Sequence, residues 1–343
     1  MISNPTPQRA LRGHNPDRGV ARVRKTAEHL AWLAGHLTAR DRWLARMLFE
    51  HKVFTTHQFV DLAFPTRRAA NLRLLNLRKW GVLHRFQPHR DSGSHPMHYV
   101  LDTVGATLLA HEDGIKPAEL NYNRDEEAGR AYSLQLAHTV GCNSLFTTLI
   151  RRGRQPGAAG RLTAWWSAAR CGRHWGDIIT PDGYGRWHQA GREIEWFIEF
   201  DFGTEPLSRL AAKLARYERL ATITGIITPV LIWLPTPERE AAVRRALAEA
   251  LRAFDYPNRA LVATTSALAG ADPLDMTEPR WRRVGDTAAS GRVQLADLPA
   301  LWPGLAAAMP HAAGTNRGGQ PVGERLELAP PPPMPPQPAC RRR

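Results

Sequence analysis

The sequence predicts an α/β chain with two domains, a small helical one ending in a hairpin and a larger one built from alternating helices and strands. Three observations predict it. Apolar stripes with helical spacing recur across residues 38–80 and are followed by two short strand-like pieces, at 82–87 and 97–101. Between Pro181 and Tyr217 the chain reads strand, turn, strand, helix, and the surrounding pattern extends this to α-β-β-β-α-β-α-β. At 343 residues the chain is long enough for two cores.

Residues 1–36 form an arm rich in Pro, Asn and Arg, without periodicity and expected to be mobile. A domain at 37–112 follows. Thr38 and Asp41 have the spacing of a capping box before a helix whose Trp43, Leu44, Met47 and Leu48 make one stripe. Thr55 or Thr56 starts a second helix through Phe59, Val60 and Ala63. Phe64-Pro65-Thr66 is a turn and a new cap, and a third helix runs to Trp80 before Gly81 ends it. The two strands are joined by a polar turn, and a short helix at 102–111 closes the unit. His84, His89, His95 and His98 cluster in this hairpin, but no cysteine accompanies them and the spacing matches no standard zinc site.

Three helices and a hairpin resemble a winged helix-turn-helix domain, which would put the third helix in a DNA major groove. On that helix Arg67, Asn71 and Arg78 share a stripe, flanked by Arg68 and Lys79. Asn and Arg make paired hydrogen bonds to base edges, whereas Arg73 and Lys79 are the expected phosphate contacts. Residues 1–110 carry 17 basic against 7 acidic side chains, so most of the formal charge of +14 lies here, as an anionic partner would require. The competing reading is a winged helix used for protein contact.

Residues 113–124 read as a linker and 125–267 as the second domain, with Lys213 on the helix after the central strand pair. In that pair Glu193, Glu195, Glu199 and Asp201 fall on one face of a strand, and Asp182 opens the strand before it. Asp182, Glu199 and Asp201 converging would give three hard oxygen ligands for Mg²⁺ or Mn²⁺. The alternative is a solvated acidic face. Residues 268–343 lose the pattern and end in a proline-rich tail expected to be mostly disordered.

Pro181-Asp182, Glu199-x-Asp201 and then Lys213 with Tyr217 one turn on resemble the PD-(D/E)xK nuclease superfamily and its restriction-endonuclease-like fold. Asp201 stands where that superfamily usually has Lys, and the resemblance implies Lys213 as the cation supplied from the helix instead. The stretches LAHTVGCNSLFTTLI, ITPDGYG, FIEFDFGTEPLSRLAAKLARY and ITPVLIWLP further resemble the replication-relaxation family, over about residues 38–265. That resemblance implies double-stranded plasmid DNA as partner, with replication or transfer proteins, or a second copy of the chain, as others. Two functions follow from it. One is a metal-dependent DNA nuclease or nickase with Asp182, Glu199, Asp201 and Lys213 as catalytic groups, and the other is a non-catalytic DNA-binding accessory. A tyrosine relaxase fits less well, because no histidine triplet accompanies Tyr184 or Tyr217. Cys142, Cys171 and Cys340 are scattered, which fits a reducing cytoplasm, and the N-terminus has no apolar segment of the secretory kind.

Overall fold

In the computed structural model, residues 12–15, 23–89, 95–120, 122–131, 135–286, 290–303, 305 and 328–337 are described. They divide into two compact units, one holding 12–140 and 328–337, the other 141–305.

The first unit contains β1 (Arg12–Asn15), α1 (Ala27–His36), α2 (Ala39–His51), β2 (Phe54–Thr55), α3 (Thr56–Ala63), α4 (Arg67–Lys79), β3 (Leu83–His89), β4 (His98–Leu101), α5 (Thr103–Glu112) and α6 (Arg124–Ala131). Its starts are set by side-chain caps. Thr38 and Asp41 close a capping box on α2, Thr55 and Gln58 do the same on α3, and the Thr66 hydroxyl accepts from Ala69 N on α4. The strands form an antiparallel sheet in the order β1-β3-β4-β2. Leu33, Leu44, Met47, Leu48, Phe54, Phe59, Leu74 and Leu77 are buried, at the helical and strand periods that the sequence displays.

α7 (Leu136–Gly153) crosses the division between Val140 and Gly141. Then follow β5 (Gly160–Ser167), α8 (Ala168–Trp175), β6 (Gly183–Gln189), β7 (Arg192–Phe200), α9 (Leu207–Thr224), β8 (Val230–Leu234), α10 (Pro237–Arg252), β9 (Val262–Ser266) and β10 (Arg282–Arg283). The sheet order is β10-β9-β8-β7-β6-β5, with β7, β8 and β9 parallel and the rest antiparallel. On one face Phe197 and Tyr184 pack with Leu210, Leu214, Tyr217 and Leu220 of α9. On the other, Trp196 stacks on Phe146 of α7 and Phe200 on Trp233. Gly141 permits the close approach of α7, since a Cβ there would meet the Phe200 ring at 2.5 Å.

The order of elements from α7 to β9 is the expected α-β-β-β-α-β-α-β, with α8 inserted between β5 and β6. Four differences from the sequence reading have physical causes. Within the supposedly patternless arm, Thr26 caps α1 and the edge of Trp32 meets the Trp80 ring. The division falls inside α7 rather than at residue 124. The stretch after Ala267 is held by arginines that donate to main-chain carbonyls, which leaves no apolar period to read. Arg280, fully buried, donates to Asp272 O, Asp275 O and Ser266 O, and Arg244 to Arg282 O, Arg283 O and Asp286 O. Lastly, Leu328, Pro331 and Pro333 of the tail are buried on the first unit.

Replacing Arg280 with Met strips three buried carbonyls of their donor. The variant is expected to lose roughly 3 kcal/mol or more in urea unfolding, whereas Arg283→Ala, at an exposed position, is expected to lose under about 1 kcal/mol.

Candidate functional site

The central feature of the second unit is a row of acids along one face of β7, each met by donors from a different element. Glu193 accepts from Thr163 Oγ1 at 2.6 Å. Glu195 accepts from Tyr184 OH, from Arg186 at 3.1 Å and from Thr228 Oγ1 at 3.1 Å. Glu199, 2 % exposed, accepts from Lys213 Nζ at 2.8 Å on one oxygen and from Tyr217 OH on the other. Asp201, just past the strand, is bound by Arg239 through Nε at 3.0 Å and an outer guanidinium nitrogen at 2.7 Å, while its other oxygen accepts from Gly203 N at 2.7 Å. The face is thus neither solvated nor bare.

β6 and β7 bring Asp182 to the same place. Gly183 lies opposite Ile198, so continuing the register sets Asp182 opposite Glu199, and Asp182 Oδ2 accepts from Phe200 N at 2.8 Å. Cys142 of α7, fully buried, points its thiol at Asp182 O. Burial first and then the Asp182 charge push Glu199 up to about 7, against the pull of Lys213 and Tyr217. For Lys213, burial opposes its charge, but Glu199, Asp182 and Glu205 outweigh that and hold the ammonium above its usual range. Burial and the neighbouring Glu199 likewise raise Tyr217, which stays a phenol donor.

Of the residues expected in a metal-dependent centre, Asp182, Glu199 and Lys213 meet, and Asp201 does not join them. Arg239 neutralises it and it caps the turn into α9, a correction whose cause lies thirty-eight positions along the chain. Arg239 and Glu205, which takes a second bond from Lys213 at 3.1 Å, have no local signal in the sequence. Tyr217 does, since four residues after Lys213 it must share that face of α9. Among the described residues no group of three or more His, Cys, Asp and Glu is placed to hold a metal ion. Asp201 is committed to Arg239 and Gly203 N, so the carboxylates of Asp182, Glu199 and Asp201 do not converge as one set.

In the first unit, Ala70, Leu74 and Leu77 turn α4 inward, which exposes Arg67, Arg68, Asn71, Leu72 and Lys79. Arg78 is half-buried. Arg73, expected on phosphate, is instead committed inside the unit: it pairs with both oxygens of buried Asp41, donates to His36 O and lies over the Trp80 ring. His84, His95 and His98 form no metal cluster among the described residues, the His89 side chain lying outside them, and burial drives His98 down to about 4.

The protein is thus of the α/β class, with one unit that presents a basic helix and another that encloses an acid row and a lysine. The replication-relaxation family model matches residues 46–231, from within α2 into β8. The match covers more than half of the chain, and the chain belongs to this family, which supports a role in plasmid replication or relaxation. No curated protein and no solved structure matches it. No helix among the described residues is long and apolar enough to cross a membrane.

Because Glu199 titrates higher folded than unfolded, its contribution is fully present below the unfolded value and is lost as pH rises toward about 7. Melting of the native chain should weaken by roughly a few kcal/mol between pH 4.5 and 7, and Glu199→Gln should flatten that window.

Proposed function

We propose that the chain is a DNA-binding protein of plasmid replication or relaxation that engages duplex DNA through α4, its second unit serving as a scaffold in which ion pairs occupy the acid positions of a nuclease-like core. In this reading α2, α3 and α4 are the helices of a winged helix-turn-helix and β3 with β4 is its wing. The observation that carries the proposal is the outer face of α4. Arg67, Arg68, Asn71 and Lys79 are exposed on a helix whose opposite side is anchored in the core. Arg and Lys supply phosphate contacts, and Asn71 and Arg68 are the residue types that read adenine and guanine edges.

One observation favours the catalytic reading as second. Asp182 and Glu199 are adjacent across β6 and β7, and the Lys213 ammonium stands beside both. Two carboxylates with water and a DNA phosphate can suffice for Mg²⁺, provided the lysine gives way.

Both readings meet in one set of measurements on the full chain. Duplex binding followed by anisotropy should weaken about tenfold in the Arg68→Ala, Lys79→Ala double variant, with the salt slope falling by roughly two. An unchanged affinity, or binding insensitive to salt, sinks the role of α4. Supercoiled plasmid incubated with the chain and Mg²⁺ should remain supercoiled. Metal-dependent nicking that disappears in Asp182→Ala would instead establish the second reading.

A further inference from the structure

The proline-rich segment Leu328–Gln337 lies on the first unit, and its contact centres on one residue. Trp43 of α2 is 5 % exposed and its indole N–H donates to the Pro332 carbonyl at 2.6 Å, across 289 positions of chain. A tryptophan buried to this degree needs an acceptor for that proton, and here the acceptor comes from the tail.

The chemistry of the segment suits such a contact. Its sequence, LAPPPPMPPQ, has six prolines in ten residues and no charge. Proline has no N–H, so Pro331 and Pro333 can be buried without stranding a main-chain donor. The carbonyls of a proline run project outward with no internal partners and are available to an indole. Leu328, Pro331 and Met334 recur every third residue, the period of an extended proline helix, and the first two are buried while the third is half-buried. A bend at Pro333–Met334 then turns the chain. The run is stiff before it docks, so little conformational freedom is lost on docking.

We infer that the Trp43 face of α2 is a binding site for uncharged proline-rich segments, occupied in cis by Leu328–Gln337, so that the end of the chain is fastened to the N-terminal unit. The site is exchangeable. A segment held by an indole hydrogen bond and the burial of Leu328, Pro331 and Pro333 can be replaced by an equivalent one, and covalent attachment keeps the native tail ahead of a free competitor through its effective concentration.

The test uses the full chain and a fluorescent synthetic peptide with the sequence of residues 328–337. Wild-type chain should bind the peptide weakly, because its own segment competes. The triple variant Pro331→Gly, Pro332→Gly, Pro333→Gly, which gains flexibility and main-chain donors in the tail, should bind it at least about tenfold more tightly. Adding Trp43→Phe, which keeps a ring but removes the donor, should cost about tenfold again, with circular dichroism melts confirming that the variant is folded. A peptide carrying P331E and P333E should fail to bind the triple variant. Equal binding by the wild type and the triple variant, or equal binding of the two peptides, overturns the inference whatever Trp43→Phe does to stability.

Discussion

The second unit depends on the burial of several like charges along one strand. Acids spaced two apart on β7 repel one another, and removing them from water multiplies that cost. What makes the strand tenable is that every acid meets donors: Thr163 from β5 on Glu193, Tyr184 and Arg186 from β6 on Glu195, Lys213 and Tyr217 from α9 on Glu199, and Arg239 from α10 on Asp201. A buried ion pair contributes little net stability, but breaking one leaves an uncompensated charge. The acid row therefore specifies where α9 and α10 sit on the sheet more than it strengthens the fold. The apolar stripe of Leu210, Leu214, Tyr217 and Leu220 would tolerate some sliding along Phe197, whereas Lys213 reaching Glu199 would not.

Within the same row, Glu199 and Asp201 differ because of what lies beyond the strand end. Asp201 sits where the chain turns, so its carboxylate serves Gly203 N and Arg239 and is committed to shaping the loop. Glu199 remains inside, opposite Asp182, with Lys213 and Tyr217 on its two oxygens. Burial first, and then the Asp182 charge, hold it above the usual carboxylate range.

How much was legible in the sequence follows the kind of interaction involved. Helix starts were readable because caps are local: Thr38 with Asp41 and Thr66 before α4 lie within three residues of what they bind. β7 and α9 were readable from apolar period, and the meeting of Asp182, Glu199 and Lys213 followed from the order strand, turn, strand, helix. Arg239 on Asp201, Arg73 on Asp41 and Arg280 on its carbonyls were not readable, since an arginine gives no sign in sequence of which distant oxygen it will serve. The stripe expected on α4 was legible at Arg67 and Asn71, both exposed, and its third member, Arg78, turns half-inward beside the anchors Leu74 and Leu77. The tail misled in the opposite way, because a composition that argues against an independent core does not argue against resting on another.

The Arg73 arrangement has a further consequence for α4. Its guanidinium, from the middle of α4, is held by Asp41 of α2 and the His36 carbonyl at the end of α1 and is laid over Trp80. A helix tied at its midpoint to two others resists rolling about its axis to suit what it meets. Any surface that docks on Arg68, Asn71 and Leu72 must do the adjusting, and discrimination there would come from how cheaply that surface deforms.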